Sequence, residues 1–93
     1  MILLNKRIDI LPQGAVNIGR PSKYGNPFKV KTHTIKDHQI AVDMYRIWLT
    51  DMLREYPNFL NTLLDVEYIW CWCKPLPCHG DVILEFVERI KQS

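Results

Sequence analysis

Apolar and polar positions along this 93-residue chain change period several times, and each change predicts an element. Residues 7–11 (RIDIL) alternate and predict a strand, "PQG" (12–14) predicts a turn, and "AVNIG" (15–19) predicts a second strand. Through "RPSKYGNPF" (20–28), Pro21, Gly25 and Pro27 break every regular period, so this is a loop. Beyond Thr34 the spacing becomes helical. Ala41, Met44, Tyr45, Trp48, Leu49 and Met52 share one face, with Asp37, Asp43, Arg46, Asp51 and Arg54 on the other. Thr34 as N-cap, Asp37 as the acidic half of a capping-box-like pair and Pro57 as the stop predict a helix over 35–55. A short second helix is expected over 58–64 (NFLNTLL).

Residues 67–73 (EYIWCWC) predict the strongest strand, apolar on both faces and therefore central and covered on both sides. "KPLP" ends it, and a final helix over 78–91 follows with Val82, Ile83, Phe86, Val87 and Ile90 as its stripe. The order β-β-α-α-β-α predicts an α/β fold with a right-handed crossover. It would be a small two-layer or three-layer domain, a mixed sheet of about three to four strands carrying two or three helices. Length and an apolar fraction of 47% suit one globular domain over 1–93.

Net charge is only +2, with acids interleaved among bases from residue 36 onward, so duplex nucleic acid is not the expected partner. The first 31 residues differ, because Lys6, Arg7, Arg20, Lys23, Lys29 and Lys31 there face only Asp9. Such local positive charge suits a small anionic ligand. No apolar run approaches the roughly 20 residues of a membrane span, and "MILL" is too short for a signal peptide. With an odd cysteine count arguing against a disulfide framework, the expected location is the cytoplasm.

Ligands of open α/β sheets sit beyond the carboxyl ends of parallel strands. If 15–19 and 67–73 are parallel, the loops after them, "GRPSKYGNPF" and "KPLPCHG", face one crevice. The first loop offers Arg20 for bidentate contact with phosphate or carboxylate, Lys23 as a mobile charge, and Ser22 and Asn26 as neutral hydrogen-bonding groups. Gly19 and Gly25 permit close backbone approach, and Tyr24 could stack on a base or sugar. The alternative is a rigid turn with solvated cations.

The second loop places Cys78, His79, Gly80 and Asp81 at a helix start, where free N–H groups favour anions and lower a thiol's pKa. His79 is a candidate acid, base or ligand-orienting group, Gly80 a backbone-approach position, and Asp81 a candidate general base or ribose acceptor. Asp81 equally suits a first-turn acid complementing the helix dipole. Neighbours on a helix diverge by about 100°, so His79 is expected to be poorly aimed at Cys78. C-x-C followed by x4-C-H is not the spacing of a structural zinc site, so no metal ligands and no cofactor are expected. Cys71 and Cys73 are read as buried thiols of the central strand, and His33 and His38 as solvated.

"NIGRPSKYGNPF" (17–28) and "CWCKPLPCHGDVILEF" (71–86) resemble, in that order, the "IGRpsk-GNPF" and "C-W-C-P-x-CHgd-L" patterns of DUF4326, a family of small phage and bacterial domains of unknown function. The resemblance spans most of residues 16–87. It implies a phage or prophage setting, hence the host cytoplasm, and a shared site, but brings no activity or cofactor with it. Three readings follow. The first is a crevice for a nucleotide or phosphorylated sugar, with chemistry, if any, at a glycosidic or phosphate centre. The second is a non-catalytic phage module that binds or sequesters a host nucleotide or host protein. The third is a zinc-stabilised interaction domain. Whether the chain is an enzyme is left open by the residues themselves.

Overall fold

The computed structural model describes residues 1–29, 32, 34–73 and 76–93. Among these residues, three strands and two α-helices follow one another. These are β1 (Ile2–Asn5), β2 (Val16–Asn17), α1 (Ile35–Glu55), β3 (Tyr68–Cys71) and α2 (His79–Gln92), with a 3-10 turn at Asn61–Leu63 before β3. The chain is therefore a small α/β domain, but its sheet is entirely parallel rather than mixed, in the order β1-β3-β2.

The strand expected over 7–11 does not form. Lys6, Arg7, Ile8 and Asp9 turn back instead, with Ile8 N–H and Asp9 N–H donating to the Asn5 carbonyl and Arg7 N–H donating to Asn5 Oδ1. Ile8 and Ile10 end up largely exposed. Alternation in that segment reflects no buried face. The first strand is instead the preceding "ILLN", paired with β3 from Ile2↔Tyr68 to Asn5↔Cys71. "PQG" does turn, with Gly14 at φ +86°, in the left-handed region that favours glycine.

Strand β3 is central as expected, with Ile69 and Cys71 buried on one face. Its other face is not covered as a core strand would be. Tyr68 and Trp70 are half-buried, Trp72 is exposed, and Lys6 Nζ stands 5.1 Å from the Trp70 ring centre. The Ile69 side joins Ile18, Val42, Tyr45, Leu49, Val82, Ile83 and Val87 in one core.

Helix α1 starts as its sequence directs. Thr34 Oγ1 accepts from Asp37 N–H at 3.2 Å, while the Asp37 carboxylate is taken by Thr32. Its buried face is His38, Ala41, Val42, Tyr45 and Leu49, so His38 belongs to the interior rather than to solvent. His33 lies outside the described residues. The segment expected as a second helix, 58–64, contracts to the single 3-10 turn. Among the described residues, no helix is long and apolar enough to cross a membrane.

Candidate functional site

Strands β2 and β3 run parallel, so the segments after both emerge at the same sheet edge. There they line one cavity of about 310 Å³. Gly19, Arg20, Asn26 and Phe28 come from the first loop, and Cys71, Trp72, Cys73, Pro77 and His79 from the end of β3 and the start of α2. Helix α1 closes the side with His38, Ala41 and Val42.

The first loop is shaped by its own hydrogen bonds. Asn17 Oδ1 accepts from Gly19 N–H at 2.8 Å, and Ser22 Oγ accepts from Tyr24 N–H at 3.2 Å, while the Arg20–Pro21 peptide is cis. A Cβ on Gly25 would sit 3.0 Å from both the Arg20 Cα and N, so this glycine lets the loop close onto Arg20. Asn26 donates to the Ala41 carbonyl at 3.1 Å and accepts from Phe28 N–H at 2.9 Å, tying the loop to α1. The Arg20 side chain remains. It is exposed at the cavity, and no carboxylate among the described residues forms an ion pair with it.

The other residues expected at the site fall elsewhere. Ser22 and Gly25 shape the loop without lining the cavity, and Lys23 lies over the rings of Tyr24 and Phe59. Tyr24 is buried and its hydroxyl meets that of Thr62, so it offers no stacking face. Gly80 is a packing residue, because a Cβ there would meet both Leu3 Cδ atoms at 2.7 Å and Ile18 Cδ1 at 2.9 Å. Asp81 accepts from Cys78 N–H at 3.4 Å, completing a capping box, and does not line the cavity.

His79 does line it. Its Nε2–H donates to the Ile18 carbonyl at 2.7 Å, which leaves Nδ1 with its lone pair. Burial holds its pKa below the usual imidazole range, with the charge of Arg20 acting the same way, so the ring is neutral. Nδ1 lies 3.8 Å from Cys78 Sγ. The expectation that these neighbours diverge fails because Cys78 is the N-cap, extended at φ −136° and ψ 142°, and so is not on the helical path.

The same cap conformation undoes the argument from cysteine spacing. It turns Cys78 back toward the end of β3, where Cys71, Cys73 and Cys78 bring their sulfurs within 4.8 Å of one another. Cys71 and Cys78 Sγ are 2.7 Å apart, and all three thiols are free. Hydrogen bonds from Cys73 and then Cys78 hold the Cys71 thiol below the ordinary range. Donation to Cys71 in turn pushes Cys73 and Cys78 up. Cys71 is the buried strand thiol expected, whereas Cys73 lies two residues past the end of β3 and is only half-buried.

Sequence reasoning did not find His38, Phe28 or Trp72 at this cavity. Trp72 stands at the rim with Lys6 Nζ 5.4 Å and the Arg7 guanidinium 5.7 Å from its ring centre. The basic bias of the N-terminal third was the available signal for those two cations.

These features define an α/β domain with a basic-rimmed, thiol-floored crevice at the carboxyl edge of a parallel sheet. Residues 3–89 match the family described as a domain of unknown function (DUF4326), and the chain belongs to that family. No curated protein and no solved structure matches it.

Proposed function

We propose that the chain binds a small anionic ligand, a nucleotide or phosphorylated sugar, in this crevice. The observation that carries the reading is the Arg20 guanidinium, which has no ion-pair partner among the described residues and borders the cavity that also reaches His79. A guanidinium presents a planar fork suited to phosphate oxygens. Trp72, 43% exposed at the same rim, supplies the flat apolar face on which a base or sugar ring would rest. Lys6 and Arg7 beside Trp72 add positive potential at the mouth.

Among the described residues, the titratable groups facing the cavity are imidazoles and thiols besides Arg20. Proton transfer to a glycosidic or phosphate centre would fall to His79 or to a thiol, not to Asp81. That composition favours imidazole or thiol chemistry over hydrolysis by carboxylates.

Titration of a panel of nucleotides and sugar phosphates, followed by tryptophan fluorescence and calorimetry, tests the reading. Arg20→Ala should weaken the best ligand by about 10- to 100-fold, the range for losing a charge-assisted hydrogen bond. Lys23→Ala should change little. Wild-type protein that binds no member of the panel, or Arg20→Ala that binds as well as wild type, overturns it.

A further inference from the structure

We propose that Cys71, Cys73 and Cys78 bind a single thiophilic metal ion, zinc in the first instance, whose fourth coordination position opens into the crevice. The three sulfurs lie within 4.8 Å of one another. A tetrahedral ion with metal–sulfur bonds of about 2.3 Å holds its sulfurs about 3.8 Å apart, a spacing that falls between the shortest and longest separations the cluster allows. The Cys71–Cys78 pair, at 2.7 Å, would open by roughly 1 Å to reach that spacing. Three thiolate donors select zinc or another soft ion over magnesium or calcium.

The fold supplies the ligands from separate elements. Cys71 is the last residue of β3 and Cys78 the N-cap of α2, both fully buried, so two donors are fixed by regular structure. Cys73 lies between them, partly exposed, and can adjust to the ion. Gly80 N–H, 3.4 Å from Cys78 Sγ, supplies the outer hydrogen bond that sulfur ligands commonly carry. Cys71 and Cys73 both border the cavity whereas Cys78 lies behind them, which directs the open position toward Arg20 and His79. Three protein ligands with one position free is the arrangement of reactive zinc, while structural zinc is closed by four. A dication with three thiolates carries one net negative charge, and the Arg20 guanidinium across the crevice offsets it.

The test is a metal titration of fully reduced, metal-stripped protein under anaerobic conditions. Zinc is added in competition with a chromogenic chelator, and cobalt(II) is followed by absorbance. One equivalent should bind, with a sulfur-to-cobalt charge-transfer band. Cys73→Ser should weaken zinc by at least roughly 100-fold, since loss of a direct ligand costs no less than loss of an outer-shell partner. Its far-UV circular dichroism should be unchanged, and Cys73→His, which restores a zinc-compatible donor, should recover part of the affinity. Cys73 is the position of choice because substituting the buried Cys71 or Cys78 risks the fold itself. No uptake by the reduced wild type overturns the proposal, as does undiminished uptake by Cys73→Ser. A Cys71–Cys78 disulfide in protein isolated without reductant, with no metal bound after reduction, overturns it in favour of a redox pair. Metal uptake is read with no anionic ligand present, so its failure leaves the anion-binding reading standing, and the converse holds.

Discussion

Tyr45 is fully buried on α1, donates its hydroxyl proton to the Tyr24 carbonyl at 2.7 Å, and meets His79 edge-on at 4.9 Å between ring centres. It thereby ties the first loop and the start of α2 to the same helix. Tyr45→Phe keeps the ring and loses the bond, which should cost about 1 kcal/mol in denaturant melts. Burial pushes the hydroxyl pKa above its ordinary value near 10. The stability that rests on burying the neutral hydroxyl is therefore complete below about pH 10, the unfolded value, and is lost as pH rises through the higher folded value. Wild type should show an alkaline loss of stability that Tyr45→Phe lacks; equal alkaline slopes would refute the assignment. Arg20 and His79 were legible as crevice residues, because one follows a strand and the other opens a helix at the same sheet edge, and both line the cavity. Tyr24 did not read correctly, because a loop residue has no period to set the face it occupies; His38 was read as solvated although it stands one turn before Ala41 and Val42 on the buried face of α1.

At the scale of elements, α1 and α2 were recoverable almost to the residue, because a long amphipathic period with a cap at one end is over-determined. Strands of four residues and two residues carry no such redundancy. "RIDIL" alternates better than "ILLN", yet Asn5 ends the strand by accepting three backbone N–H groups from the residues that follow it, through both its carbonyl and its side chain. The start of α2 shows the cost of reading elements singly. Gly80 looks like a ligand-approach glycine, whereas it is where the helix touches Leu3 of β1 and Ile18, the residue after β2. Gly80→Ala would gain about 0.5–1 kcal/mol of helix propensity. Against that, the new methyl collides with Leu3 and Ile18, and overpacking costs about 1–3 kcal/mol, so a net loss near 1 kcal/mol is expected. Leu3→Ala alone should also destabilise, but in combination with Gly80→Ala it makes room, and the two losses should sum to less than their separate values. Strict additivity in thermal melts would show that the contact does not exist.

The whole molecule rests on β3, which has a parallel neighbour on each side and contributes Ile69 and Cys71 to the common core. Parallel pairing also creates the crevice: it delivers both loops to one edge, and this convergence was legible in the sequence from strand order alone. The identity of β1 was not, because four residues at the end of a chain leave no length over which to measure a period. Its importance can be tested directly. Removing residues 1–5 strips the β1 ladder from β3, at about 1 kcal/mol for each hydrogen bond. It also takes away the half-buried Leu3 and Leu4, worth roughly 1–2 kcal/mol each, and the seat of Gly80 on α2. Domains of this size have about 5–15 kcal/mol in hand, so the truncated chain should lose its cooperative thermal transition and its near-UV signal. Removing residues 91–93, all exposed at the end of α2, should shift the melting temperature by only a few degrees, in keeping with the small effect of surface changes. If the chain lacking residues 1–5 melts as cooperatively as wild type, β1 is not a strand of the folding unit, and the sheet reduces to a β2–β3 pair that must still hold the crevice open.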